Sequence, residues 1–182
     1  MLRSLLAAGL TALALPATAE VGDDGLHDAP YIRETFKDLS EDYAEAQADG
    51  RSLIVMIEQR GCIYCARMHE RVFVEPEIAR MLEEEFFFVQ INMDGATEVT
   101  DFDGVTMTES GIVEEWGYRL TPTILVFPRD VAPTTPAPEA AMAVIPGALD
   151  VEDTRSLLLW ARSDAAAEGT ALSDFHKGRT GG

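Results

Sequence analysis

The period of the apolar positions changes several times along this chain, and each change predicts an element. Across residues 31–50, Ile32, Phe36, Leu39 and Tyr43 recur every three or four positions, which predicts a helix with Gly50 as its stop. Residues 52–57 then read as a short buried strand, apolar without a break from Leu53 to Ile57. Good helix formers follow from Cys62 to Val72, and Pro76, with no N–H and a bulky ring, predicts a kink or restart. The pattern resumes over 75–85, with Ile78, Met81 and Leu82 on one face, and gives way to a second buried strand over 86–93.

The second half is more broken. Residues 95–107 form a polar excursion too long for a minimal connection. Thr108 is placed to cap a helix through Trp116, with Gly117 ending it. Strands are predicted over 123–127 and 141–145, separated by a Pro- and Thr-rich loop over 128–138. A last helix over 151–163 offers Leu157, Leu158 and Trp160 for burial, and 164–182 lacks such a pattern and reads as a flexible tail. Alternating helices and strands with one short strand–strand connection predict an α/β fold with a mixed central sheet flanked by helices. Trp116, Trp160, Phe36 and Phe86 to Phe88 read as core.

The first residues carry a different message. Arg3, an apolar stretch from Leu5 to Leu15, and Ala17-Thr18-Ala19 have the order of a secretory signal peptide, so 1–19 is expected to be cleaved near Ala19 and the mature protein exported to the periplasm. Residues 20–30 read as a loose leader, and 31–163 as the folded domain. No segment has the run of about 20 apolar residues that a spanning helix needs, and no stable membrane anchor is expected. A formal net charge of −18, from 14 basic and 32 acidic residues, makes nucleic acid a poor partner.

Two cysteines, Cys62 and Cys65, stand in Gly61-Cys62-Ile63-Tyr64-Cys65, between the first strand and a helix. They are too close in sequence to staple a domain, so the pair is read as a dithiol that does chemistry. A thiolate at a helix N-terminus is stabilised by the macrodipole and unpaired N–H groups, so Cys62 is the expected nucleophile and Cys65 the thiol that closes the ring. Thr121-Pro122 precedes the strand at 123–127, and a proline there marks a tight turn in which a cis bond is open to it. His69 completes a C-x2-C-x3-H spacing that a soft metal would accept, but it reads first as a partly exposed helix residue, because structural zinc wants a further ligand and His27 and His176 lie in ends read as mobile. Asp94, Asp101 and Asp103 are set out in no defined cation-binding loop, so the metal expectation is none.

The ordered set of C-x-x-C, Pro76, Thr121-Pro122 and Gly147-Ala148-Leu149 resembles the thioredoxin fold over residues 31–163. Glu58-Gln59-Arg60-Gly61-Cys62-Ile63-Tyr64-Cys65, with Arg67-Met68-His69 and Glu98 to Gly104, resembles more narrowly the SoxW-like periplasmic thioredoxins. The resemblance implies a thiol:disulfide oxidoreductase with Cys62 attacking and Cys65 resolving. It implies a cis Pro122 beside the dithiol, Thr121 bonding an extended substrate segment, and a membrane thiol transporter as electron donor. The implied substrates are exported proteins with disulfides or oxidised thiols, sulfur-oxidation or cytochrome-maturation components among them. No cofactor beyond a redox-active Cys62–Cys65 disulfide is expected. Tyr64, counted with the substrate-binding residues, matches the type found in glutaredoxins and bacterial disulfide isomerases.

The family's buried aspartate has no match, since Met56 holds its position; Glu58, two residues on and on the same strand face, is the candidate proton relay. Isomerase or oxidase chemistry at the same cysteines, metal handling, and a redox-inert binding module are the competing readings.

Overall fold

The computed structural model describes residues 20–180, so the signal sequence read at 1–19 lies outside the described residues. A four-stranded mixed sheet runs in the order 86–92, 52–58, 123–126 and 143–146. Strands β3 (Ser52–Glu58) and β4 (Phe86–Asn92) are parallel, while β7 (Thr123–Val126) lies antiparallel to β3 and β8 (Ala143–Pro146) antiparallel to β7. Every residue of β3 is buried, as a central strand covered on both faces must be.

The pleat divides the core in two. Ile54 and Met56 point to one side, where they meet Met68, Phe73, Ile78, Met81, Leu157 and Trp160. Leu53, Val55 and Ile57 point to the other, with Leu39, Tyr43, Phe102, Ile112 and Trp116. Helix α3 (Pro76–Glu85) and helix α6 (Val151–Ala161) cover the first face, and helices α1 (Leu39–Ala48) and α4 (Glu109–Glu115) the second. The α/β reading with a mixed sheet flanked by helices is what the chain adopts.

Several boundaries differ from the sequence expectation. The helix predicted from residue 31 begins only at Leu39, where the Asp38 carboxylate accepts from the N–H groups of Ser40 and Glu41. Such a cap is worth about 1 kcal/mol, and Lys37, at φ 56°, breaks any helix approaching from upstream. Tyr31 lies in a turn instead, and residues 33–37 form no regular element. Ile32 bridges Phe88 at the sheet edge, and the Arg33 N–H donates to the Phe88 carbonyl at 2.8 Å. Phe36, expected in the core, is 93% exposed.

The leader is not loose. β1 (Glu20–Val21) pairs with β2 (His27–Asp28) in a small hairpin, and Leu26 and Ala29 are buried. The polar excursion is also built: β5 (Glu98–Thr100) and β6 (Thr106–Thr108) pair as a second hairpin, with Val99 sealed in the core. Loop 128–138 ends in the short helix α5 (Ala137–Ala140). Residues expected to form a flexible tail are helical through 180, in α7 (Asp164–Ala167) and α8 (Leu172–Thr180); Leu172 and Phe175 pack on the core, and the Trp160 indole donates to the Thr170 carbonyl at 2.7 Å.

Candidate functional site

The C-terminal end of β3 delivers the chain to the cysteines. A turn with Gly61 at φ 73° leads into the short helix α2 (Ile63–Arg67), and Cys62 is its N-cap. The two cysteines are joined as a disulfide, with Cα atoms 5.3 Å apart. The Cys65 N–H donates to Cys62 Sγ at 3.1 Å, so a backbone donor already points at the sulfur that would carry charge after reduction. Cys62 is half-buried, whereas Cys65 is 1% exposed. That asymmetry lets a partner sulfur reach one cysteine and keeps the other for the internal step.

Two of the intervening and flanking residues face solvent. Ile63 is 73% exposed and Tyr64 56%, which gives the rim of the dithiol an apolar character. The Thr121–Pro122 peptide is cis, with Thr121 half-buried and Pro122 buried. Because Thr123 pairs with Ile57, Thr121 and Pro122 lie at the end of the sheet where β3 runs out toward Cys62. Leu120, just before them, is also exposed.

After α2 the helical path widens into a π-helical turn, Met68–Val72, in which the Phe73 N–H reaches back to the Met68 carbonyl. Pro76 kinks no continuous helix; it sits at the first position of α3, where its missing N–H has no partner to lose. The widened turn presents His69 to the interior. His69 was expected to be partly exposed, and it is fully buried.

Glu58 meets it there. His69 Nε2 lies 2.8 Å from Glu58 Oε1, and His69 Nδ1 lies 2.7 Å from the Tyr31 hydroxyl. With Glu58 ionised, Nε2–H donates to the carboxylate and Nδ1 accepts from Tyr31. Burial, then the nearby Glu58 charge, raise the Tyr31 pKa and keep that hydroxyl a donor. Gln90 donates one amide nitrogen to Glu58 Oε1 at 3.0 Å and to the His27 carbonyl at 3.1 Å, so the carboxylate and the leader hairpin share a clamp. The His27 ring stacks on His69 with centroids 4.5 Å apart. Burial lowers the His27 pKa, as does the neighbouring His69, against weaker opposition from Glu58 and Glu70.

Glu58 therefore shares a face with Met56, as the strand period implies, and it comes with partners the sequence did not reveal. Tyr31 and His27 lie 38 and 42 positions from His69 in sequence, and no local spacing connects them. The three aspartates have local structural duties. Asp94 accepts from the Gln59 amide at 2.9 Å, and Asp103 from the Val105 N–H at 3.0 Å. Buried Asp101 accepts from the Trp116 indole at 2.7 Å and from the Ala137 and Phe102 N–H groups.

A profile of the thioredoxin-like domain matches residues 39–158. No curated protein matches the chain. Among solved structures, a thioredoxin-fold protein from Helicobacter pylori is similar at 15% identity and a TM-score of 0.53, covering 78% of this chain and 98% of its own. A thioredoxin from Thermus thermophilus is similar at 20% identity and a TM-score of 0.54, covering 72% of this chain and 89% of its own. These likenesses bear on the fold; the profile match, across the sheet and the Cys62–Cys65 disulfide, decides the family. The chain belongs to the thioredoxin-like domain family.

Proposed function

We propose that this protein is an exported thiol:disulfide oxidoreductase that reduces disulfides or oxidised thiols of periplasmic proteins. The observation that carries the reading is the asymmetric disulfide: an approachable Cys62 with a backbone N–H on its sulfur, and a sealed Cys65 bonded to it. In the reduced protein, the Cys62 thiolate attacks a substrate disulfide. One substrate thiolate leaves, and a mixed disulfide forms on Cys62. Cys65 then attacks Cys62 Sγ, the second substrate thiolate leaves, and the two electrons of the dithiol have passed to the substrate.

The resolving step requires Cys65 to lose its proton. Glu58 and His69 are the groups assigned to take it, because His69 stands one turn beyond Cys65 and shares its burial, and Glu58 is bonded to His69. An extended substrate segment is assigned to Thr121 and Pro122, with the exposed Tyr64 ring beside it. A SoxW-like role with sulfur-oxidation or cytochrome-maturation clients, and recharging by a membrane thiol transporter, follow from the sequence resemblance and the expected signal peptide.

The test is the midpoint potential of the Cys62–Cys65 couple. A value of about −270 mV supports the reductase. A value of about −120 mV replaces it with an oxidase or isomerase at the same cysteines. Recovery of the mature chain, beginning near Glu20, in the periplasmic fraction checks the address.

A further inference from the structure

We propose that His27, Glu58 and His69 form a binding site for one divalent transition-metal ion of the zinc class, with neither cysteine among its ligands. The ligand atoms offered by the three residues all lie within 4.8 Å of one another. Atoms sharing one ion at bonds of about 2.0–2.2 Å stand about 3–4 Å apart, so the three need only a small contraction.

The second observation is an unsatisfied atom. Glu58 Oε1 is used by His69 and Gln90, but Glu58 Oε2, in a fully buried side chain, has no hydrogen-bond partner among the described residues. It faces His27 Nδ1 across 4.0 Å, too far for a hydrogen bond and wide enough for an ion between them. A buried carboxylate oxygen without a donor is costly, and a cation supplies what it lacks.

The surroundings fit a metal site in two further respects. Metal binding moves the His69 proton from Nε2 to Nδ1, where the Tyr31 oxygen accepts it, so that Nε2 becomes a ligand, and Gln90 holds both the carboxylate and the backbone of His27. A surface hollow lined by Asp23, Asp24, Asp28 and Glu34, with Arg33 and Lys37 also in its lining and Arg60 bonded to the Asp23 carbonyl, leads to His27 and Gln90. Two imidazoles and one carboxylate select zinc, cobalt or nickel over calcium and magnesium.

Binding changes one thing in the structure. The stacked imidazole planes differ by 8°, and one ion cannot lie in both, so His27, whose side chain is 11% exposed against none for His69, turns out of the stack.

The experiment titrates the oxidised full chain with Zn(II) and Co(II). With both cysteines held in the disulfide, neither thiol contributes, so the outcome is independent of the redox reading. One ion bound per chain is expected, with a Co(II) spectrum lacking thiolate charge-transfer bands and a shift of the His27 ring resonances. His27→Ala, on the exposed side of the cluster, and Glu58→Gln each weaken binding at least about tenfold. A Cys62→Ser/Cys65→Ser double variant binds as tightly as the parent. No binding by the oxidised chain overturns the proposal, as does binding that survives His27→Ala unchanged while circular dichroism shows the variant folded.

Discussion

The carboxylate of Glu58 and the imidazole of His69 meet at 2.8 Å where neither side chain reaches solvent. The pair is held by Tyr31 on the far nitrogen of His69, Gln90 on the near oxygen of Glu58, and the His27 ring across the top, which leaves Glu58 Oε2 as its one unbonded atom among the described residues. Removing one member strands the other. Glu58→Ala should lower stability by about 3–5 kcal/mol, read by urea denaturation. The milder Glu58→Gln keeps a hydrogen-bonding side chain and should slow release of the mixed disulfide without changing its formation; an unchanged rate of resolution removes Glu58 from proton transfer.

Cys62→Ser should abolish turnover in a disulfide-reduction assay, because the remaining cysteine, Cys65, is 1% exposed and out of a substrate's reach. Cys65→Ala should instead accumulate substrates as mixed disulfides on Cys62, which mass spectrometry of the trapped species identifies. Turnover retained by the serine variant would refute the dithiol chemistry.

Asp42 gives stability a pH dependence of unusual sign. Burial is the main cause that raises its pKa from 3.8 to about 7, reinforced by Asp38, Glu45 and Glu41 and opposed by the Thr35 hydroxyl, which donates at 3.2 Å. The folded chain thus holds this proton more tightly than the unfolded one. Its contribution to stability is fully present below pH 3.8 and is lost as pH rises toward about 7. Asp42→Asn should flatten that slope and raise the melting temperature at pH 8 relative to the parent, with little difference at pH 4. A parallel shift at both pH values would exclude the titration as the cause.

Phe36→Ser should leave stability within about 0.5 kcal/mol, since the ring is exposed and packs in neither core. This position shows where periodicity misleads. The three- and four-residue spacing of Ile32, Phe36, Leu39 and Tyr43 fits a helix, yet only Leu39 and Tyr43 lie on one. Ile32 is drawn to the edge of β4, and Asp38 supplies a start signal stronger than the pattern upstream of it.

The elements of the central sheet and the cysteine pair were legible because each depends on local signals, a continuous apolar run and a spacing of two between cysteines, whereas the cis bond at Pro122 was implied by the family resemblance, a proline before a strand leaving the isomer open. The buried cluster was not. His69 looks like a surface residue beside Glu70 and Arg71, and only the widened turn at 68–72 shows which way it faces. His27 looked like part of a mobile end because nothing in residues 20–30 signals that Leu26 is buried or that Gln90 bonds the His27 carbonyl. Such contacts join positions tens of residues apart, and pattern reading reaches only a few turns.

Asp101→Ala should cost at least about 3 kcal/mol, because it leaves the Trp116 indole and two backbone N–H groups without an acceptor, each worth about 1–3 kcal/mol when stranded. Chemical denaturation followed by Trp116 fluorescence measures it. A loss below about 1 kcal/mol would mean that water replaces the carboxylate.

The hairpin around Asp101 is consequently no detachable ornament. One carboxylate at its tip fastens the end of α4 to the start of α5, so the insertion works as a rivet between two stretches of chain that also share a core. Excising it to make a minimal domain would open a seam on that face of the sheet, and any trimmed version would have to carry a replacement acceptor from elsewhere.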